Sequence, residues 1–293
     1  MNNSKKKHSL LYDIALVFII LAGFWFRSVG LDWDEGQHLH PDERFLTMVE
    51  SAIVPVELAD ETTGPPPEGC EEWGGYFDTS CSSLNPHNRG HGFFVYGTLP
   101  IFATRYVAEW VGETGYGSVH LVGRQLSALT DLLSIVLLYF IVARVYNRKV
   151  ALLSAAFSAL AVLQIQQSHF FTVDTFVNFF MFLAIYFAVE ISFGELGIGN
   201  RESGKDIFRS KLLWLSVGFG LALGMAVASK INAAVLAVLL PAAIALRFFQ
   251  TGEDGQSSTD RRQIDLTLIT TVLIAGAIAS FIEIGRASCR ERG

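Results

Sequence analysis

The sequence predicts an all-α polytopic membrane protein, and three features of the chain support this fold class. Of its 293 residues, 51% are hydrophobic and 17% are charged, whereas about a quarter of the residues in a soluble domain are charged. Several apolar runs have roughly 17–20 residues, the length that crosses a bilayer core. Charge is also unevenly distributed along the chain. Residues 27–121 include 15 acidic and 4 basic residues and have a net charge of -11, whereas the whole chain has a net charge of -6. These features argue against a soluble enzyme, and the absence of a basic patch with interleaved aromatic residues argues against nucleic acid as a partner.

Residues 10–26 form the first apolar run, and Lys5, Lys6 and Lys7 precede it. A signal peptide has similar basic and apolar parts, but this run is long for that role and no small-x-small cleavage site follows it. We interpret the run as a retained transmembrane helix that leaves residues 1–9 in the cytoplasm.

Six further transmembrane helices are predicted within residues 121–282. Their apolar runs are residues 121–142, 150–166, 175–193, 212–229, 231–249 and 266–282. Alternate connectors are basic, through Arg144, Arg148, Lys149, Arg201, Lys205, Arg209, Lys211, Arg247, Arg261 and Arg262. The positive-inside rule makes these connectors cytoplasmic, so the turns at residues 168–174 and around Lys230 face the other side.

The stretch from residue 27 to residue 120 is predicted to be one extracytoplasmic loop with two interfacial helices. Residues 41–54 begin with Pro41 and two acids, which suit a helix N-terminus, and continue with an apolar stripe. Residues 95–112 lie in a segment that is long enough to span the membrane, but a crossing there would invert the positive-inside pattern. The mixed polar and apolar composition of the segment suits a helix that lies in the interface. The region between the helices is rich in Gly, Pro and acids. It contains Cys70 and Cys81, which could form a disulfide outside the cytoplasm or remain free thiols.

On this topology, polar residues from four separate segments share the extracytoplasmic side. They are Asp32, Asp34, Glu35, Asp42, Glu43, Arg124, His169, Asp174 and Lys230. Ionisable residues at membrane depth are costly and usually line a functional cavity or pair with one another. We therefore predict a single site near the outer surface.

Asp42 and Glu43 are the catalytic candidates, because a carboxylate at the start of an interfacial helix can take a proton from an incoming hydroxyl. The alternative is that these acids only stabilise the helix N-terminus. Arg124, at the outer end of the second span, can bind a phosphate bidentately. Alternatively, Arg124 forms a salt bridge with Asp131 or Glu109.

Three further residues are candidates for substrate binding. Asp174 would contribute to the site or act as the N-cap of the fourth span. His169 would orient a substrate or simply form a hydrogen bond at the interface. Lys230 would neutralise a phosphate or extend its ammonium group to the lipid headgroups.

Two motifs carry a family resemblance. "HPDERF", in a long loop after a first span, and the later "FFVYGTLP" resemble the first outer loop of the GT-C glycosyltransferases, in the branch of protein O-mannosyltransferases and lipid A aminoarabinose transferases. Residues 123–176, with an arginine at the start and Asp174 after the second outer turn, resemble the next two spans of that family. The Cys70 to Cys81 insertion is not a general family feature, and it leaves the acceptor open.

The resemblance implies a GT-C-like transmembrane helix bundle that moves a sugar from a dolichyl- or undecaprenyl-phosphate carrier to a hydroxyl on a protein, lipid or glycan. It implies an extracytoplasmic active site, and we expect the protein in the plasma membrane. Asp42 matches the catalytic carboxylate and Glu43 its neighbour. Arg124 would contact the carrier phosphate, and Asp174 would shape the sugar or acceptor site.

No cofactor is required by the sequence. Carboxylates of the loop could coordinate a divalent metal, but no ligand spacing such as C-x-x-C demands one, and we assign no metal ligands. A transporter, for which a polar midplane site would be expected, and a non-catalytic membrane scaffold are the alternative functions. Nearly all charges avoid the spans, which favours chemistry at the surface.

Residues 283–293, "EIGRASCRERG", break an apolar span abruptly. They resemble the translation of a sequencing-adapter read-through, so we expect a non-native tail. We also expect the chain to be the N-terminal part of a longer protein.

Overall fold

The computed structural model describes residues 2–194 and 211–252, and within them the chain is a bundle of α-helices. The helices are α1 (Asn2–Ser28), α2 (Pro41–Ala52), α3 (Leu99–Val111), α4 (Val119–Val145), α5 (Arg148–Leu160), α6 (Val162–Ser168), α7 (Val173–Phe193), α8 (Lys211–Ser229) and α9 (Leu239–Gly252). Short 3₁₀ helices occur at Val56–Leu58, Glu61–Thr63 and Pro86–Arg89, and a longer one at Ile231–Val238 leads into α9.

Five helical segments of the described residues are long and apolar enough to cross a membrane. They are Leu10–Ser28, Val119–Val145, Val173–Phe193, Lys211–Ser229 and Ile231–Phe249. The pair α5 and α6 makes a sixth if the two helices count as one bent span. The chain is therefore a polytopic helical membrane protein, as the sequence predicts. The predicted span at residues 266–282 and the tail at residues 283–293 lie outside the described residues.

The run at residues 150–166, which the sequence predicts as one uninterrupted helix, is broken at Ala161. Helices α5 and α6 meet there at 57°. Arg27 explains how the break is tolerated, because its guanidinium donates to the carbonyl oxygens of Ser158 (3.2 Å) and Ala159 (2.9 Å) at the end of α5. Backbone carbonyls freed inside a membrane protein need such partners, and a cation suits a helix C-terminus.

Arg27 is itself neutralised inside the bundle. Its Nε atom lies 2.6 Å from the carboxylate of Asp131 on α4, and the side chains of both residues are buried. Arg27 also donates to the carbonyl oxygen of Gly23 on its own helix. This pair joins α1, α4 and α5 at one point.

Apolar packing holds the remaining helices together. Small residues of α5, such as Ala151 and Ala155, pack against Ile135 and Tyr139 of α4. A second buried cluster, which includes Ala184 of α7 and Phe219 of α8, extends to Leu240 of α9. Many large apolar side chains on the outer face of α1 are exposed, as expected for contact with lipid.

The segment between α1 and α4 folds over one end of the bundle, which we call the loop end. Its buried core joins Leu46 and Val49 of α2 to Ile101 of α3, and this core continues into Phe171 and Phe176 around the start of α7. The turn between α6 and α7 and the end of α8 lie at the same end. Residues far apart in the chain therefore meet there.

The two helices of this segment are shorter than predicted. Helix α2 starts at Pro41, preceded by His40, whose Nδ1 accepts a hydrogen bond from the backbone N–H of Glu43 (3.4 Å). Helix α3 begins only at Leu99 and ends at Val111, and the following Gly112 has the left-handed φ of 79° that glycine adopts readily. The residues before α3 form a close contact with α8 instead of a further helical turn.

Basic residues at the opposite end of the bundle make ion pairs there. Arg144 at the end of α4 lies 3.2 Å from Glu190 of α7, and Arg148 at the start of α5 lies 3.3 Å from Asp13 of α1. Other residues of the predicted basic connectors lie outside the described residues, namely Arg201, Lys205, Arg209, Arg261 and Arg262. That this end is cytoplasmic stays a prediction.

Candidate functional site

Glu43 and Arg124 form the buried centre of the loop end. Arg124 donates from Nε to one carboxylate oxygen of Glu43 (3.0 Å) and from an Nη atom to the other, and both side chains are fully buried. The backbone N–H of Phe171 donates to the same carboxylate at 2.7 Å. Glu43 therefore joins α2 to α4 and to the turn between α6 and α7.

Arg124 has further partners in the segment that follows α1. It donates to Asp34 at 2.9 Å and to the carbonyl oxygen of Leu31, and its guanidinium lies 5.5 Å from the centre of the Trp33 ring. Burial alone would raise the pKa of Asp34, but the hydrogen bond from Arg124, the backbone N–H of Leu39 and the charge of Arg124 lower it overall. The arginine is thus enclosed by an anionic cage.

These contacts correct the predicted partners of Arg124. Asp131 pairs with Arg27, and Glu109 pairs with Arg105 at 2.6 Å, so neither forms the salt bridge considered as the alternative. All three guanidinium nitrogens donate to groups of the protein, and the side chain has no exposed surface. Contact between Arg124 and a carrier phosphate therefore stays a prediction, and the geometry supports a positioning role.

Asp42 differs from its neighbour, because its side chain is exposed. It lies in the first turn of α2, beside the hydroxyl group of Tyr96. Burial raises the pKa of Tyr96, and the carboxylates of Asp42 and Asp174 raise it further. The structure thus separates the two acids, with Glu43 fixed in the interior and Asp42 open to an incoming molecule.

Asp174 and Lys230 form an ion pair next to this group. The Nζ atom of Lys230 lies 2.6 Å from the Asp174 carboxylate, and the two side chains are 34% and 47% exposed. Asp174 lies in the first turn of α7 but is not its N-cap, because Thr172 precedes the helix. The pair is accessible, unlike the ion pairs of Arg124.

A glycine brings Tyr96 and Lys230 together. The backbone N–H of Gly97 donates to the carbonyl oxygen of Ser229 at 3.0 Å. A Cβ atom at residue 97 would lie only 1.9 Å from the carbonyl oxygen of Ala228. Only glycine allows the segment before α3 to approach the end of α8 so closely.

His169 lies on the opposite side of the turn between α6 and α7. Its ring nitrogens lie 2.7 Å from the carbonyl oxygen of Ile165 and 2.9 Å from that of Val29. The indole N–H of Trp33 donates to the carbonyl oxygen of His169 at 3.3 Å. These bonds tie the end of α1 to α6, so a direct role of His169 toward substrate stays a prediction.

A separate polar group includes Asp32, Asp34 and His120. One possible ligand atom from each of these residues lies within 4.8 Å of the others, which is close enough for a metal ion. Among the described residues, no other group of three His, Cys, Asp or Glu side chains places its possible ligand atoms this close together. Glu35, which the sequence places with these acids, is exposed and is not part of the group.

A disulfide joins Cys70 and Cys81, whose Cα atoms are 5.8 Å apart. The backbone N–H of Gly74 donates to the carbonyl oxygen of Cys81 at 2.9 Å inside the loop that the bond closes. The disulfide lies in the irregular region between α2 and α3, away from the acids of α2.

Sequence reasoning missed several residues of the loop end. Tyr96 and Gly97 belong to the motif "FFVYGTLP", whose resemblance to a known loop was the available signal, but no role was assigned to them. His38 and His120 are buried, and a lone histidine in a polar loop or at the start of a span carries no distinctive pattern. Arg27 was read only as the boundary of the first span.

Comparison with known proteins gives two matches. The family of dolichyl-phosphate-mannose-protein mannosyltransferases matches residues 106–284. The solved structure of the S. cerevisiae protein O-mannosyltransferase Pmt1-Pmt2 complex bound to the sugar donor superimposes with a TM-score of 0.60 at 16% sequence identity. The match covers 93% of this chain and 33% of the yeast chain, so this chain spans about a third of the length of that protein. The comparison with curated proteins gives no match.

Proposed function

The chain belongs to the dolichyl-phosphate-mannose-protein mannosyltransferase family, and from this premise we propose that it takes part in transfer of a sugar from a polyprenyl-phosphate carrier to a hydroxyl acceptor. The yeast protein of similar fold is described as bound to its sugar donor. The proposal is that this chain forms the part of the enzyme that binds donor and acceptor at the loop end.

One observation carries the proposal. An exposed carboxylate, Asp42, lies beside the Tyr96 hydroxyl, and Asp174, which also acts on Tyr96, holds the accessible cation Lys230 at 2.6 Å. A base, a hydroxyl group and a cation therefore meet at one place, although three separate segments supply them. Sugar transfer from a lipid phosphate needs this combination, because a proton must be taken up and an anionic leaving group must be stabilised.

In the proposed reaction, Asp42 accepts the proton of the acceptor hydroxyl. The acceptor oxygen forms a bond to the anomeric carbon of the sugar as the bond between that carbon and the phosphate oxygen breaks. The polyprenyl phosphate leaves with the bonding electrons, and Lys230 stabilises its charge. Attack from the face opposite the leaving group would invert the anomeric configuration.

Glu43 and Arg124 contribute by holding Asp42 in place. Because Glu43 is fixed through Arg124 and the N–H of Phe171, the first turn of α2 has little freedom to move. A reacting group on a fixed helix retains its orientation, which favours reaction over mere binding. In this proposal Asp42 is the catalytic residue, and Glu43 and Arg124 are positioning residues.

The remaining details belong to the same proposal. The loop end faces the extracytoplasmic side of the plasma membrane, in agreement with the positive-inside pattern. Mannose is the first sugar to test, because the family takes its name from it. A protein hydroxyl is the first acceptor to test, and lipid and glycan hydroxyls are the other acceptors. The polyprenyl chain of the carrier would be surrounded by membrane lipids.

The test is a transfer assay in membranes that contain the protein, with radiolabelled polyprenyl-phosphate-mannose and Ser- or Thr-containing peptides. Asp42→Asn should lower transfer by about 10²–10⁴-fold, the usual contribution of a general base. It should leave the amount of inserted protein unchanged, because the side chain is exposed. Tyr96→Phe should lower transfer less, since the ring and its packing remain.

The matched comparison is Glu35→Gln, which also removes one exposed negative charge from the loop. Glu35→Gln should retain wild-type transfer. Wild-type activity in Asp42→Asn would contradict the assignment of the base. Failure of the wild-type protein to transfer sugar from any polyprenyl-phosphate donor would contradict the proposed function itself, and it would favour a transporter or a scaffold.

A further inference from the structure

A second polar group at the loop end contains none of the residues of the proposed reaction centre. It consists of Asp32 and Asp34 in the segment after α1 and His120 in the first turn of α4, and we call it the Asp-Asp-His group. The Nε2 atom of His120 lies 4.0 Å from a carboxylate oxygen of Asp32, too far for a direct hydrogen bond. All three possible ligand atoms lie within 4.8 Å of one another.

Two buried imidazole rings at this group have no hydrogen-bond partner among the described residues. His120 is 1% exposed and His38 is 3% exposed, and none of their four ring nitrogens is paired there. The rings lie against each other with their centres 4.4 Å apart, and the ring centre of Tyr116 lies 4.5 Å from that of His38. Buried polar groups are nearly always satisfied, so these ring nitrogens are available to bind a ligand.

The charges around the group suit a divalent cation. Asp32, Asp34 and Glu43 contribute three negative charges, and Arg124 contributes one positive charge that Glu43 and Asp34 already bind. Arg44, whose Nε donates to the carbonyl oxygen of His38 at 3.1 Å, adds a second positive charge, so the local charge without an ion is -1. A cation would offset this negative charge, whereas a second anion would increase the repulsion.

The donors also select the class of ion. Zn²⁺ accepts both imidazole nitrogen and carboxylate oxygen as ligands, and its open sites combine three protein ligands with water at the fourth position. A tetrahedral ion with bonds of about 2.0–2.1 Å separates its ligands by about 3.3 Å. The Asp32 side chain, 55% exposed, can rotate to close the remaining distance.

We propose that Asp32, Asp34 and His120 bind a divalent transition-metal ion, with Zn²⁺ as the first candidate, and that this ion anchors the segment after α1 to α4. One carboxylate oxygen of Asp34 accepts a hydrogen bond from Arg124, and the other accepts one from the backbone N–H of Leu39 at 3.2 Å. The ion would therefore fix the residues that lead into α2. It would act on Asp42 only indirectly, through Asp34, Arg124 and Glu43.

The test uses the purified protein, freed of metal with a chelator and titrated with Zn²⁺ alone in a calorimeter. The wild-type protein should bind about one equivalent, and its thermal unfolding midpoint should rise with Zn²⁺. Co²⁺ should give the intense visible absorption of a tetrahedral site. Asp32→Asn, which retains the hydrogen bond from the N–H of Gly36, and His120→Gln should each weaken Zn²⁺ binding by about tenfold or more, as loss of metal-site residues does.

Glu35→Gln provides the control, because it removes an equal charge three residues from Asp32 without removing a proposed ligand. It should bind Zn²⁺ as tightly as the wild type. Absence of saturable Zn²⁺ binding in the wild type would overturn the proposal. Wild-type affinity in Asp32→Asn would overturn it as well, and this exposed position keeps the test valid even if His120→Gln does not fold.

Discussion

Arg124 and Glu43 face each other through two parallel hydrogen bonds at the loop end, and neither side chain has any exposed surface. The pair joins α4 to α2 across 81 positions of the chain. Buried ion pairs cost desolvation energy when they form, but removal of one partner leaves an uncompensated charge. The pair therefore makes the geometry of α2 depend on α4.

We expect Arg124→Lys to destabilise the protein, by less than the roughly 3–5 kcal/mol that removal of one partner of a buried ion pair costs. Lysine keeps the charge but cannot donate to Glu43, Asp34 and Leu31 with the fixed geometry of a guanidinium group. Thermal unfolding in detergent measures the effect. Arg144→Lys is the comparison, because Arg144 is 33% exposed and its replacement should change stability little. Equal stability of the two variants would contradict the proposed cage.

Lys230→Ala should weaken binding of the lipid-phosphate donor while it changes stability little. The ion pair of Lys230 with Asp174 is substantially exposed, and such pairs contribute only about 0–1 kcal/mol. Kinetics with varied donor concentration should show a raised KM for the carrier. Lys230→Arg should restore part of the affinity, since it retains the charge. An unchanged KM with lowered stability would indicate a purely structural lysine.

Gly97→Ala should lower both stability and transfer. The new Cβ atom would lie 1.9 Å from a backbone carbonyl oxygen of α8, which cannot move aside as a side chain can. Overpacking of this kind costs about 1–3 kcal/mol. Unfolding midpoints and transfer rates should be measured together with those of Gly92→Ala. Gly92 lies five residues earlier with no atom near its Cβ position, so that variant should behave as the wild type.

Glu50 should make stability depend on pH. Burial raises the pKa of its carboxyl group well above the ordinary 4.5, although the charge of Arg105 opposes the shift. Between about pH 4.5 and the raised pKa, the folded state keeps a proton on Glu50 that the unfolded state has released. The free energy of unfolding therefore falls as pH rises through this range. Glu50→Gln should remove that fall and raise the unfolding midpoint at neutral pH. An unchanged pH profile in this variant would contradict the burial of an unpartnered carboxyl group.

Local patterns predicted the elements that depend on neighbouring residues. The start of α2 at Pro41 follows from a proline and two acids placed before an apolar stripe, and α4, α7 and α8 follow from long apolar runs. The break at Ala161 was not predictable in this way. Residues 150–166 contain no glycine, proline or charged residue that would mark a break, and the carbonyl groups at the break are stabilised by Arg27, which is 131 positions away from Ser158.

The candidate site also contains residues that local patterns predicted and residues that only contacts between distant segments reveal. The sequence identified Asp42, Asp174 and Lys230 and placed them at one end of the bundle. Only the family resemblance distinguished Asp42 from Glu43, because adjacent acids look alike in the residue pattern until one of them meets Arg124 in the interior. The sequence did not identify Tyr96, whose role depends on the approach of Gly97 to Ser229.

Hydropathy and charge along the chain were enough to predict that the protein crosses a membrane, where its long apolar helices lie and which charged residues gather at one end. These features depend on hydropathy and on charge along the chain, which a bilayer senses locally. Only the folded arrangement shows which charges are buried and paired, which carboxylate is exposed and which histidine rings have no hydrogen-bond partner among the described residues. Those outcomes depend on contacts between segments far apart in the chain. The cost of burying a polar group is set by the groups that the fold places beside it.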